Sequence, residues 1–231
     1  PLDTYRTQKR GGRGVQAANL KEEDQLAHLF VATTTHYILF FTNRGRVYRL
    51  KAYEVPQSSR TARGQHINNF IQSNSGERTT AILPIKDMSG EGYLVMATEN
   101  GEVKRTALKE FANLRSNGLI AFDIEEGDNL NWVKHTDGKQ EIMMVTANGM
   151  SIRFQEGDVP ERSRGAGGVR GIELRDAKTK QLADHVVAMD VVSPTSQLLV
   201  SSEQGFGKRT DLGQYRSQSR GGRGVLTMNV T

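Results

Sequence analysis

The sequence contains no cysteine. Disulfides and thiolate metal sites are therefore excluded, and a reducing, cytoplasmic compartment is the expectation. Aromatic residues make up only 6%, too few for a protein that stacks single-stranded bases on a row of rings. Long apolar runs are missing as well. The strongest, Tyr37 to Phe41, is far too short to cross a bilayer, and no secretory signal is visible. The histidines His28, His36, His66, His135 and His185 are scattered without zinc-ligand spacing. Neither a GxxxxGK[ST] phosphate loop nor a GxSxG elbow occurs. The acids Glu22, Glu23 and Asp24, and the pair Glu125 and Glu126, fall in loop-like contexts that suit solvated charge. No catalytic residue, metal site or cofactor is expected within this chain.

What is present is basic charge and repetition. Lys plus Arg number 31 against 26 for Asp plus Glu, a net charge of +5. The positives cluster in short runs, QKRGGRGV and QSRGGRGV, which makes a polyanion the plausible partner. A chain of 231 residues is long enough to bury a substantial core. No internal linker or low-complexity tract divides it, so residues 1–231 are expected to form a single domain. Pro1 opens in mid-motif without a Met, as in a piece of a longer protein.

Self-comparison is the most informative step. ILFFTNRGRVYRL, YLVMATENGEVKRT, IMMVTANGMSIRF and LLVSSEQGFGKRT share one pattern: an apolar run, Thr or Ser, a turn ending in Gly, then a basic strand. Each reads as a β-hairpin. Asn100-Gly101 and Asn148-Gly149 point to type I′ turns, in which both central residues take positive φ. The turn glycines are Gly45, Gly101, Gly149 and Gly205. Arg49, Arg105, Arg153 and Arg209 each fall four residues later. One such arginine would pass as a solvated strand end; four suggest a repeated basic rim.

A second landmark follows each hairpin. Beyond Val55, Phe111, Val159 and Tyr215, an Arg-containing, Gly-rich turn ends at Gly64, Gly118, Gly168 or Gly224. Tyr5 and Gly14 supply the same landmark at the N-terminus, where the hairpin itself is missing. The landmark intervals are 50, 54, 50 and 56 residues. Apolar-alternating stretches (GVQAANL, GQHINNF, GLIAFDI, GVRGIEL) come next, then strand-like runs such as LAHLFVATTT, TTAILPIKD and VVAMDVV. About four strands per period of roughly 50 residues is the pattern of propeller blades, which bury their faces only by stacking. Helices are scarce: short turns are expected at Lys21 to Phe30 and Leu108 to Leu114. The expected architecture is all-β, a propeller-like disc with a truncated first blade and four full hairpin repeats.

The box Gln8-Lys9-Arg10-Gly11-Gly12-Arg13-Gly14 resembles the Q-R-R-G-G-R/K-G signature of gyrase A subunits. FFTNRGRVYRLKAYEVP, NGEVKRTALKEF and GFGKRT are similar to repeats of the same family. The resemblance runs along the whole chain, to the C-terminal DNA-wrapping domain of that family. It implies a β-pinwheel, whose blades exchange strands and whose rim bends duplex DNA. It also implies two partners, the B subunit of gyrase together with the rest of the A subunit. DNA cleavage and Mg- and ATP-dependent chemistry would reside there. The tyrosines agree: none lies in a context like the family's cleavage site, and Tyr5, Tyr48, Tyr215 and Trp132 suit packing. Two departures stand out. Lys9 replaces the usual arginine, which keeps charge but loses bidentate geometry. A second intact box, Gln218-Ser219-Arg220-Gly221-Gly222-Arg223-Gly224, lies where the family pattern is expected to be degenerate.

Bending about 20–30 bp by roughly 40–90° costs on the order of 1–6 kcal/mol, which repeated phosphate contacts along a curved rim can offset without reading sequence. Arginine engages phosphate with its planar fork. Glycine at Gly11, Gly12 and Gly14, and again at Gly221, Gly222 and Gly224, lets the backbone come close. The same glycines would also serve simply to turn a corner between blades. Weaker copies lie at Thr61 to Gly64, Arg115 to Gly118 and Arg164 to Gly168. Arg10, Arg60, Arg164 and Arg220 all fall four residues before their landmark glycine, while Leu114 breaks that rule. Arg63 joins them as a candidate rim contact. Three other readings remain at this point: the related C-terminal domain of topoisomerase IV, a protein-binding propeller, and a propeller enzyme. The intact boxes and the arginine period favour the gyrase reading over all three.

Overall fold

The computed structural model describes residues 10, 11, 14, 25–59, 61–114 and 117–229. Fourteen short strands follow in chain order. The first module contributes the hairpin β1 (Tyr37–Thr42) and β2 (Arg46–Lys51), then β3 (Thr79–Ile85). The second contributes β4 (Tyr93–Thr98), β5 (Glu102–Ala107), the two-residue β6 (Leu119–Ile120) and β7 (Leu130–Thr136). The third contributes β8 (Glu141–Thr146), β9 (Met150–Gln155), β10 (Val169–Arg170) and β11 (Val186–Val192). The last holds β12 (Gln197–Ser201), β13 (Gly207–Asp211) and β14 (Val225–Leu226).

The pairing is all antiparallel and is not module by module. The sheets run β3-β1-β2-β6, then β7-β4-β5-β10, then β11-β8-β9-β14. Each hairpin thus takes its fourth strand from the landmark segment that follows the next hairpin. This is strand exchange, the hallmark of a pinwheel rather than a simple propeller. The fourth hairpin, β12-β13, remains two-stranded among the described residues. The expectation of four-stranded blades therefore holds for three sheets.

The turn glycine explains how the exchange is held. The carbonyl of Gly45 accepts the N–H groups of Ala121 at 2.7 Å and Phe122 at 3.0 Å. Gly101 receives Gly171 and Ile172 in the same way, and Gly149 receives Thr227 and Met228. Gly45 has φ +72°, and an added Cβ would lie 2.2 Å from the Phe122 carbonyl oxygen. No side chain fits where the exchanged segment docks.

The turns correct one detail. Among the described residues, Lys180 alone of the non-glycines has positive φ, so Asn100 and Asn148 are not in type I′ turns. Instead Gly101 N–H reaches the Thr98 carbonyl (3.1 Å) and Gly149 N–H that of Thr146 (3.0 Å). The glycine then takes the left-handed conformation alone, as in three-residue hairpin loops. The cause is the preceding buried threonine. Oγ1 of Thr42, Thr98 and Thr146 accepts the N–H of Arg46, Glu102 and Met150, respectively.

Two main cores lie between successive sheets. Leu39, Phe41 and Val47 pack with Leu94, Met96, Phe111 and Phe122 between the first and second. Val95 and Val103 pack with Ile142, Met144, Ile152 and Phe154 between the second and third. Phe111, Val159 and Tyr215 are buried as their landmark positions require, while Val55 is exposed. The expected short turn at Leu108 appears as a 3-10 turn, Leu108–Phe111. The run LAHLFVATTT does not form a strand: Leu26, Leu29 and Val31 stand exposed. Each comparable strand pairs along the first strand of the hairpin that precedes it in its own module, and the sequence before Leu26 carries no hairpin motif. Gln25 to Phe30 is likewise not helical; Lys21 to Asp24 lie outside the described residues.

Candidate nucleic-acid interface

The arginine after each turn occupies one register position. Leu39 pairs with Arg49, Val95 with Arg105, Met143 with Arg153 and Leu199 with Arg209. Its recurrence has a packing cause. Arg49 donates from Nη1 to the Ala112 carbonyl (2.7 Å) and from Nη2 to that of Leu114 (3.2 Å) in the next module. Arg153 reaches the Leu212 (2.6 Å) and Tyr215 (3.0 Å) carbonyls in the module after it. It also pairs with Glu141 at 2.7 Å, both side chains being nearly buried. Arg105 lies over the Tyr93 ring at 4.6 Å, and its buried Nε has no hydrogen-bond partner among the described residues. Arg209 is exposed. The guanidinium groups of Arg49 and Arg153 clamp one module to the next.

The landmark loops carry a second set of arginines, of which Arg164 and Arg220 are half-buried and Arg162 and Arg223 exposed. Two loops are fully described, 162–168 and 218–224, and their main bonds correspond. Each enters along a turn arginine: Arg162 N–H reaches the Arg105 carbonyl (2.9 Å), and Gln218 N–H reaches that of Arg153 (2.8 Å). Arg164 Nη1 then donates to the Ile120 carbonyl (3.0 Å), and Arg220 Nη1 donates to the Arg170 carbonyl (3.0 Å). Ile120 and Arg170 end corresponding exchanged strands. Arg220 also bonds the Asp158 carbonyl through Nε. Among the described residues no carboxylate pairs with either guanidinium group. Two of the five donors of Arg220 are used, so a planar cation is held in one orientation with donors to spare.

The loop glycines do turn a corner. Gly221 and Gly224 have φ of +80° and +75°, and a Cβ on Gly224 would lie 2.1 Å from the Ser151 carbonyl oxygen. Gly222 has a freer setting, with nothing nearer than 3.7 Å. Arg223 is exposed beside it and makes only a long bond, 3.4 Å, to the Arg175 carbonyl.

Of the first box, Arg10, Gly11 and Gly14 are described and exposed. Gly11 (φ +85°) and Gly14 (φ +72°) repeat the backbone conformations of Gly221 and Gly224. Unlike Gly224, Gly14 has no described residue within 4 Å of a Cβ position. Gln8, Lys9, Gly12 and Arg13 lie outside the described residues, as do Arg60 and Arg115. Arg63 is exposed. Sequence reasoning passed over Arg162, Arg170 and Arg175, which surround the loops; Arg170 pairs with Glu173.

It also passed over Lys104, whose side chain is fully buried on β5. Its Nζ donates to the carbonyls of Ala121 (2.6 Å), Arg164 (2.7 Å), Ala166 (2.8 Å) and Ser163 (3.3 Å). The Phe122 ring lies 4.8 Å away. Burial pushes this ammonium down to about 8, opposed by Glu110 and Asp123 and reinforced by Arg162 and Arg164. Among the described residues no cluster of three or more His, Asp or Glu side chains could hold a metal, and no helix is long and apolar enough to cross a membrane.

Sequence comparison adds to this geometry. The family described as "DNA gyrase C-terminal domain, beta-propeller" matches residues 1–33, 36–85, 92–137, 140–193 and 196–231. The chain belongs to the DNA gyrase C-terminal domain family. Its five matched segments follow the repeat units, including the N-terminal one that lacks a hairpin. The DNA gyrase A protein of Mycolicibacterium smegmatis is 43% identical over 228 residues, 98% of this chain and 26% of that protein. Its Staphylococcus epidermidis counterpart is 43% identical over 234 residues, covering all of this chain and 26% of that protein. The chain thus spans about a quarter of these relatives. Among solved structures, the C-terminal domain of DNA topoisomerase IV superimposes with TM-score 0.79 at 30% identity, covering 91% of this chain and 64% of that one. A DNA gyrase A C-terminal domain gives TM-score 0.60 at 20% identity, covering 99% of this chain and 90% of that one. This gyrase-type domain therefore shares its fold with both branches of the family.

Proposed function

We propose that this domain binds duplex DNA without reading its sequence and bends it along successive landmark loops, serving DNA gyrase in ATP-dependent negative supercoiling. Its protein partners in that reading are the gyrase B subunit, which supplies ATP hydrolysis, and the remainder of the A chain, in the bacterial cytoplasm. The observation that carries it is the equivalence of Arg164 and Arg220. Each is anchored on the neighbouring exchanged strand, one module apart, and neither is paired with an acid among the described residues. Anchoring in advance spares the entropy of ordering a long side chain on binding. Arg10, Arg13, Arg60, Arg63 and Arg223 extend the same series. The alternative, service in a decatenating topoisomerase IV, is disfavoured by the two intact boxes and by the gyrase relatives.

A salt titration tests the binding mode. If six to ten phosphates are neutralised, log affinity falls with log salt at a slope of about −0.9 per phosphate. Duplexes of unrelated sequence are expected to bind equally. A shallow slope, or strong preference for one duplex, would remove the basis for wrapping.

A further inference from the structure

We propose that Lys104 is a positioning residue for DNA binding: its ammonium gathers the carbonyls of one landmark loop and fixes the loop that presents Arg162 and Arg164. The proposal rests on the DNA-bending reading above, but the geometry of the staple stands without it.

Four carbonyl oxygens converge on a group with three N–H donors. Three of them come from the loop, at Ser163, Arg164 and Ala166; the fourth is Ala121, on the segment the loop docks against. The staple is reinforced around its edge. Asp123 N–H shares the Ala166 carbonyl, Glu110 accepts the Arg164 N–H at 2.8 Å, and Glu102 accepts the Gly168 N–H at 3.3 Å. Among the described residues no carboxylate forms an ion pair with Nζ itself. The charged groups around it are Glu110 from the turn after β5, Asp123 after β6, and Arg162 and Arg164 from the loop.

Among the described hairpins only this one is built so. The corresponding positions on the others are Tyr48 and Ile152, both buried, and Lys208, which is exposed and reaches a single carbonyl, Thr227. A neutral amine cannot serve the cage. It has two N–H groups, and its lone pair would face carbonyl oxygens. Loss of the proton therefore releases the loop carbonyls and lets Arg164 leave the seat that aims it.

The sign of the effect on the whole fold is opposite. The folded value lies below the ordinary 10.5, so between about 8 and 10.5 the unfolded chain holds more protons. Stability contributed by Lys104 thus rises with pH across that window and is lost as pH falls through the folded value. Loosened DNA binding without a loosened fold is the signature of the staple.

The test measures duplex affinity of the wild-type chain and of Lys104→Met from about pH 7 to about pH 9.5 at fixed ionic strength. Amide NMR of Arg164, Ala166 and Gly167 and the melting temperature are followed in parallel. Wild-type affinity is expected to fall about tenfold across the titration, the worth of one charge-assisted contact, with no fall in melting temperature. Lys104→Met is expected to show the weakened affinity at every pH. Flat wild-type affinity, or a variant that keeps the wild-type profile, would overturn the proposal. If the chain binds no DNA at any pH, the DNA reading fails instead. The loop amides then decide: titration in the wild type supports the staple, and pH-independent shifts refute it. Should the variant not fold, the wild-type titration alone decides between the same two outcomes.

Discussion

Replacing Arg10 and Arg13 by alanine is expected to leave the domain bound to straight DNA but unable to hold it bent. Each arginine lost from a phosphate removes about one unit from the salt slope, so the double variant loses about two. Most of the affinity for a short straight duplex survives, because the remaining loops supply it. Bending is different. Elastic strain of order 1–6 kcal/mol over about 20–30 bp must be resisted where the curved path ends. Losing the contacts there lets the DNA straighten. Arg10 is exposed, and no described residue lies within 4 Å of a Cβ placed on Gly11 or Gly14. Arg220→Ala would confound the experiment by freeing the Asp158 and Arg170 carbonyls. Gel shift against salt, together with FRET between duplex ends, separates the outcomes. Equal loss of binding and bending makes the box a general anchor. Loss of neither would mean that these residues only shape the turn.

Arg153→Ala is expected to act on stability instead, lowering it by about 3 kcal/mol, the scale for removing one partner of a buried ion pair. Arg153 and Glu141 are 11% and 8% exposed. Removing the guanidinium leaves the Glu141 carboxylate with the Gln155 Nε2 donor at 2.8 Å and no counter-charge. It also frees the Leu212 and Tyr215 carbonyls, which tie the next module to this one. Lysine would not rescue the site, since one ammonium cannot span Glu141 and both carbonyls with fork geometry. Urea denaturation followed by far-UV circular dichroism measures the loss. An unchanged midpoint would return Arg153 to the role of a surface contact.

These two substitutions mark where the sequence was legible. Hairpins and turn glycines were readable because a period near 50 residues is a property of the string itself. So was the equivalence of Arg49, Arg105, Arg153 and Arg209, which the strand register repeats. Which way those arginines point was not readable. A strand ending beside another module and one ending in water carry the same letters, and the carbonyls that receive Arg49 lie 63 and 65 residues away. Strand exchange came only from the family resemblance, since β6, β10 and β14 have two residues each and leave no pattern of alternation. The Asn-Gly turns misled for a local reason: a threonine hydroxyl captured the amide that a type I′ turn would have sent elsewhere. Lys104 was invisible because its partners are all backbone carbonyls, which every sequence has.

Wrapping of DNA along the rim in one sense is the property on which the proposed function depends. The direct measurement incubates relaxed circular DNA with the domain, relaxes it with topoisomerase I, and resolves the topoisomers after the protein is removed. The expected result is a shift in linking number of a single sign, growing with protein added, and lost in the Arg10 and Arg13 double variant while binding persists. A distribution that stays centred on relaxed DNA at saturating protein would contradict it.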